Sequence, residues 1–331
     1  MGTDSDGGTD VVETLSIGGS LVDFATGEAL TGGATVSTDG IVPAPTVSIT
    51  GASFEIEGIP PFSNFHLLVG SPPDYRSTYS VVVQTENADL SGLTFETLSE
   101  DFIDGLYSTF GVTAADGTSL VIAKLVDDQG AAQADVPAAA FKLDVGQEGP
   151  FFLAPDRSAD ADLTQTCSSG YVVVFNVAPG LVSFVADEAA DVSMVMADSP
   201  VAARAATLAE IVVQNGDIVV PTGVSFSQQI VPIFDNRGCV LCHSGSGIGK
   251  DLGGLHLNGE ANKMYKELVE EISDIHAKTR VDLEVPEASL MLTLPSKEEP
   301  PDVHPNSTFL SNADPDYLLL LGWIQEGALN N

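Results

Sequence analysis

The 331-residue chain carries 12 Lys+Arg against 47 Asp+Glu, a formal net charge of −35. That balance argues against nucleic acid or an anionic membrane surface as a partner and suits a basic protein partner or a saline medium. The acidity is uneven: residues 222–331 hold seven basic and sixteen acidic side chains, leaving five and thirty-one upstream.

With 44% apolar residues there is material for two or three domain cores, and no apolar run approaches the ~18 residues needed to span a bilayer. Residues 1–10 read as a flexible acidic tether. Their aspartates lack the register and closing glutamate of an EF-hand calcium loop, and the stretch has no signal-peptide core. Met1 is read as standing where an export signal has been removed. Gly2 to Asp10 resembles the polar spacer behind the lipidated cysteine of bacterial lipoproteins, which implies a possible lipid anchor in the native precursor, although that cysteine is absent.

Residues 11–98 alternate short β-rich runs with Gly, Asn, Asp and Pro punctuation, as in Leu15–Asp23, Thr46–Thr50 and Tyr79–Gln84, which predicts a small antiparallel sandwich. The segment Ile17–Val36, with its Thr26-Gly27 turn, and the later Phe54–Pro60 resemble carboxypeptidase-regulatory-like (transthyretin-like) domains. The resemblance implies that fold and no activity.

Ser99 before Glu100 and Asp101 marks a helix start, and Phe102, Leu106 and Phe110 share one face, so residues 99–110 are expected to form a helical connector. Residues 111–221 repeat the strand-and-turn pattern in Leu120–Gly130 and Gly170–Gly180, which predicts a second β-sandwich. Cys167 precedes a Ser-Ser-Gly turn. It is read as a buried, unreactive thiol, with an intermolecular disulfide as the alternative.

Residues 222–331 carry the chemistry. Ser225 is an N-cap for a helix with Ile230, Ile233 and Phe234, which leads through Arg237-Gly238 into Cys239-Val240-Leu241-Cys242-His243. Two thiols three positions apart can add to the two vinyl groups of one porphyrin, and the adjacent imidazole can ligate its iron. The motif therefore predicts one covalent haem c held by Cys239, Cys242 and His243. A zinc site would need two more ligands at matching spacing, and Cys167 is distant. Asp314-Pro315 opens a last helix with Leu318, Leu321 and Ile324 on one face, closed by Gly327.

Val224–Phe234, Gly254–Leu257 and Trp323–Ala328, placed around the haem motif, resemble the planctomycete-type monohaem cytochrome c domain. The fold expected from all of this is two N-terminal all-β sandwiches followed by an all-α cytochrome c domain. The other iron face has five candidates: His256, His276, His304, Met264 and Met291. Met264, Leu268, Ile272 and Ile275 make the stripe of a helix expected over 260–277, so Met264 reads as core. Met291 lies among Leu290, Leu292 and Leu294. His304 stands in the proline-braced Glu299–Pro305 loop, where the resemblance implies a distal ligand, commonly methionine. His304 is the favoured second metal ligand, with Met291 as the alternative.

Two histidines would saturate the iron and favour electron transfer, leaving weak peroxidase activity only to an open distal face. Because covalent haem is attached outside the cytoplasm, the expected protein is a periplasmic, cell-surface or secreted electron carrier. Its partners would be a redox protein or an extracellular electron acceptor, with self-assembly as a further possibility. The sandwiches would serve as positioning, adhesive or assembly modules. The alternative is an extracellular binding or adhesion protein whose haem is structural or sensory. No catalytic residue is expected, as no nucleophile–base order or paired-carboxylate motif is present.

Overall fold

The computed structural model describes residues 14–30, 33–39, 41, 44–187, 189–216, 218–245, 247, 249, 253–257, 260–296, 304, 308–309 and 311–331. The tether expected over 1–10 lies outside them.

Period-2 burial builds the first layer. In Ser53–Ile59, Phe54, Ile56 and Ile59 face inward while Glu55 and Glu57 face solvent, the pattern of a sheet with one wet face. This strand lies between Thr46–Thr50 and Leu15–Asp23, and Leu90–Thr97 runs parallel to Leu15–Asp23 to complete a four-stranded sheet. Its core, including Leu21, Phe54 and Ile56, closes against Phe65, Leu67 and Val69 of the opposing Asn64–Ser71 strand.

That opposing strand belongs to a much larger sheet. Its order is Glu148–Phe152, Tyr171–Val177, Ser119–Val126, Ala206–Asn215, Tyr75–Tyr79, Asn64–Ser71 and Thr35–Asp39, with Val192–Met196 and Val83–Gln84 paired off this path. The seam between its halves is a parallel pairing of Ala206 with Thr78 and Thr207 with Tyr79. Every residue of Tyr171–Val177 is buried, because both sheet faces are covered. One face packs on Phe141, Phe152 and Phe184. The other takes the Glu100–Phe110 helix, which is capped by the Ser99 hydroxyl and buries Ile103 and Leu106.

The expected fold class is corrected in two respects. The two sandwiches are not independent, since one nine-stranded sheet passes through both. Nor is the all-α cytochrome c domain expected over residues 222–331 shown: strand makes up 35% and helix 20% of the described residues as a whole, and the C-terminal helices are small. The longest C-terminal helix described is Pro315–Gln325, of 11 residues, and the others are single turns or little more. Gly- and Pro-rich connections cut the apolar segments short before helices can lengthen. The helix expected over 260–277 is α-helical over Ala261–Tyr265, π-helical over Lys266–Glu270, and then ends. Ile272 and Ile275 are consequently exposed rather than part of an apolar stripe.

These short helices still share a core. Trp323 is fully buried, stacked on Phe226 at 5.1 Å and edge-on to Tyr265. The Glu326 carboxylate accepts from the backbone N–H groups of Gly223 (2.7 Å) and Val224 (3.0 Å), tying the last helix to the segment's entry. Among the described residues no helix is long and apolar enough to cross a membrane.

Arg157 clamps the sandwiches together. Its Nη1 donates to the Phe24 carbonyl (2.5 Å) and to Glu96 (2.6 Å), while its guanidinium lies 4.6 Å from the Phe24 ring centre and 5.2 Å from that of Tyr171. Arg157→Ala should lower stability by about 1–3 kcal/mol, the value of a partly buried charge-assisted and cation–π contact discounted for screening. Arg157→Lys should recover less than half of the loss, since lysine cannot both fork and stack. Urea melts measure both.

The Glu326 tie is sensitive to pH. The two N–H donors hold its carboxyl below the ordinary carboxylate range. The tie is therefore present above the unfolded-state pKa and is lost as pH falls through the lower folded-state value. Glu326→Gln should flatten the acid limb of the urea midpoint against pH and leave the shape of the profile above the carboxylate range unchanged.

Candidate haem site

The motif begins where the backbone reverses. Gly238 has φ 67° and precedes the single-turn helix Cys239–Cys242. A Cβ at Gly238 would sit 2.4 Å from Cδ2 of Phe62, a residue of the first sandwich that itself has φ 56°. The sandwich loop thus rests on the glycine before the first thiol. The helical turn places His243 N–H on the Cys239 carbonyl at 3.0 Å. Cys239 and Cys242 are both free thiols and partly buried. Burial pushes the Cys239 thiol up to about 12 and raises Cys242 as well.

His243 is fixed from several sides. Its Nδ1 lies 3.2 Å from the Leu255 carbonyl, and its own carbonyl accepts from Leu257 N–H at 2.7 Å. A carbonyl partner assigns the proton to Nδ1 and leaves the Nε2 lone pair for a metal. Gly249 packs against the ring: a Cβ there would fall 2.7–2.9 Å from Cε1, Nδ1 and Nε2. Desolvation lowers the imidazole pKa to about 4, against the Leu255 hydrogen bond that raises it and helped by His304 and Arg280. The ring is thus neutral, as a ligand must be.

His304 lies near it. The two ring centres are 6.3 Å apart with planes 16° from parallel. Ordinary aromatic pairs, with centres about 4.5–7 Å apart, also show such a spacing. The same spacing matches two metal–nitrogen bonds of about 2 Å each plus the inner halves of two imidazoles. Among the described residues no three His, Cys, Asp or Glu side chains group to hold a bare metal ion. A pair of near-parallel imidazoles, one of them next in sequence to Cys242 of the Cys239–Cys242 turn, is a donor set compatible with a macrocycle that brings its own equatorial nitrogens.

The remaining candidates lie elsewhere. Met291 (8% exposed) and Met264 (3%) belong to the core around Trp323. His276 N–H bonds the Ser273 hydroxyl near the end of the interrupted helix, and His256 Nε2 is buried without a hydrogen-bond partner. Residues 297–303 and 305–307, which flank His304 in the proline-braced loop, lie outside the described residues. Cys167 is partly buried, its thiol donating to the Leu153 carbonyl at 3.0 Å.

Arg237 joins these parts. It donates to Asp316 (2.6 Å), Asp314 (2.7 Å) and the Thr308 carbonyl (3.3 Å), and Asn64 of the first sandwich donates to that same carbonyl at 3.1 Å. Burial opposes its charge, but the two aspartates raise its pKa above the ordinary arginine value. Sequence reasoning missed Phe62, Asn64, Gly249 and Arg280 here. The only local signals were a rigid Pro60-Pro61-Phe62 loop, a Gly-rich stretch after the motif and scarce basic residues in an acidic chain.

No family model matches the chain, and no curated protein is similar to it. Among solved structures it is similar to the Bacillus anthracis TIE protein at 12% identity, over 61% of this chain and 34% of that one, with a TM-score of 0.21. A streptococcal ancillary pilin is similar at 15% identity, over 61% and 63%, with a TM-score of 0.19. The shaft pilin SpaA from Lactobacillus rhamnosus GG is similar at 10% identity, over 62% and 100%, with a TM-score of 0.19. The chain thus spans about a third of the first of these proteins, and at such scores none of them carries a function over to it.

Gly238→Ala should cost about 1–2 kcal/mol for the left-handed backbone alone, and more for the clash with Phe62. Adding Phe62→Ala should return the clash part, so the double variant is less destabilised than the sum of the singles. Denaturant melts of the four proteins measure this coupling, and strict additivity would separate the two residues.

Proposed function

We propose that the protein is an extracytoplasmic c-type monohaem electron carrier. Cys239 and Cys242 would attach one haem, and His243 and His304 would hold its iron. The observation that carries this reading is the pair of near-parallel imidazoles with centres 6.3 Å apart. Bound haem supplies one-electron cycling at its iron.

Each protein group has a defined task. Leu255 orients His243 through Nδ1, Gly249 lets the backbone hold the ring from one side, and Arg237 fixes the motif to the last helix. Phe62 and Asn64 give the sandwiches a positioning role, because they seat the haem segment against the β-scaffold. Two imidazoles, from His243 and His304, would hold a bound haem in a form suited to electron transfer rather than to peroxide chemistry. The −35 net charge suits a basic redox partner that approaches under electrostatic steering.

The test is spectroscopic. The exported chain should carry one haem that survives denaturation and is lost in Cys239→Ala/Cys242→Ala. His304→Ala should keep the covalent haem but turn the ferric spectrum from low to high spin, and added imidazole should restore it. Met291→Leu should leave the spectrum unchanged. A far-red sulfur-to-iron charge-transfer band in the unaltered protein, or a low-spin His304→Ala variant, would overturn the assignment of His304.

A further inference from the structure

The second half of the β-scaffold holds a groove that the haem reading does not use. It encloses about 950 Å³ where the parallel strands Ser119–Val126 and Ala206–Asn215 end side by side, with residues 133–140 and 189–192 forming its other walls. Val136, Ala140, Val192 and Val213 give it an apolar floor, and all four belong to or pack against the core beneath. Its carboxylates are Asp127, Asp128, Asp135 and Asp191, and no Lys, Arg or His lines it.

Two of these carboxylates are each fixed through one oxygen. Asp127 Oδ1 accepts from the N–H groups of Gln129 (2.9 Å) and Ala131 (2.8 Å), and Asp135 Oδ1 accepts from the Gln165 amide (2.5 Å). None of the four has an ion-pair partner among the described residues. Their charges are spread along the groove, since among the described residues no three acidic, His or Cys side chains group to hold a metal ion. A calcium-like ion needs several oxygens converging on one point. Spaced carboxylates above an apolar floor instead match several cationic heads carried on apolar stems.

We propose that this groove docks a lysine- or arginine-bearing segment of a partner protein. The segment's stems and intervening apolar residues lie on the valine and alanine floor, and its cationic heads meet the four carboxylates. Opposite charge steers and orients such a segment, while apolar burial adds affinity that salt does not screen. None of the lining residues is among those that seat the haem segment, so docking here goes beyond the electron-carrier reading and does not depend on it.

The test is calorimetric titration of the full chain at about 0.15 M salt, where distant charges are screened. One short synthetic peptide alternates lysine with valine, and a second alternates lysine with serine. The valine peptide should bind about tenfold or more tightly than the serine peptide. Asp127→Asn, Asp128→Asn, Asp135→Asn and Asp191→Asn together should weaken it about tenfold or more. Asparagine keeps an oxygen for the turn bonds and tolerates the left-handed backbone of Asp135 (φ 63°). Glu55→Gln, Glu57→Gln, Asp104→Asn and Asp116→Asn remove the same charge at exposed positions outside the groove and should change binding less than about twofold. If the fourfold groove variant does not fold, Ala139→Phe decides the matter: it fills the groove from an exposed position and should bring the valine peptide down to the affinity of the serine peptide. Equal binding of the two peptides, equal loss from the two sets of carboxylates, or no binding of either peptide would overturn the proposal. The haem reading is judged separately, by covalent attachment in the unaltered chain.

Discussion

The guanidinium of Arg237 is the contact on which the C-terminal segment depends. One planar group reaches two aspartates at the start of the last helix and the carbonyl of Thr308, while its own backbone leads into Gly238 and the first thiol. Asp314 is 7% exposed and also caps the helix by accepting from Asp316 N–H at 2.9 Å. Lysine could not substitute, because three separately placed acceptors need a fork. Since Asn64 donates to the same Thr308 carbonyl, the β-scaffold, the haem motif and the approach to His304 converge within a few residues.

That convergence compensates for the poor regular structure of residues 222–331. Single helical turns do not hold their geometry by propensity. Here they are held by the stacked Phe226–Trp323 pair, by the Glu326 tie and by glycines at points of close approach. Gly247 passes the Cys242 carbonyl and Gly249 passes the His243 ring at distances that a Cβ would close to under 3 Å. The loop after the motif is thus specified by what it must avoid. The resulting site holds one imidazole firmly and sets a second near-parallel to it, with ring centres 6.3 Å apart.

Much of this was legible locally. Alternating residues such as Phe54, Glu55, Ile56 and Glu57 report a half-buried strand, Ser99 reports a helix start, and the Cys239–His243 spacing is the source of the proposed haem attachment. What failed was non-local. Nothing near Thr78 or Ala206 announces that they pair in parallel, so one continuous sheet was read as two sandwiches. The π-helical turn at Lys266–Glu270 shifts the side-chain period, so a stripe through Ile272 and Ile275 was drawn that the fold leaves exposed. The likeness of the haem segment to an all-α domain rested on scattered apolar matches, and these specify burial without specifying helix length. The partners of Arg280 and Phe62 are likewise set by packing between distant elements.

In the proposed function His243 and His304 would together hold the iron of one haem, with ring planes close to parallel. Low-temperature electron paramagnetic resonance of the ferric, haem-loaded chain reads this directly. Planes 16° apart should give a rhombic low-spin signal with three resolved g-values. A single large-g feature from perpendicular ligand planes, or a high-spin signal from an open iron face, would contradict it.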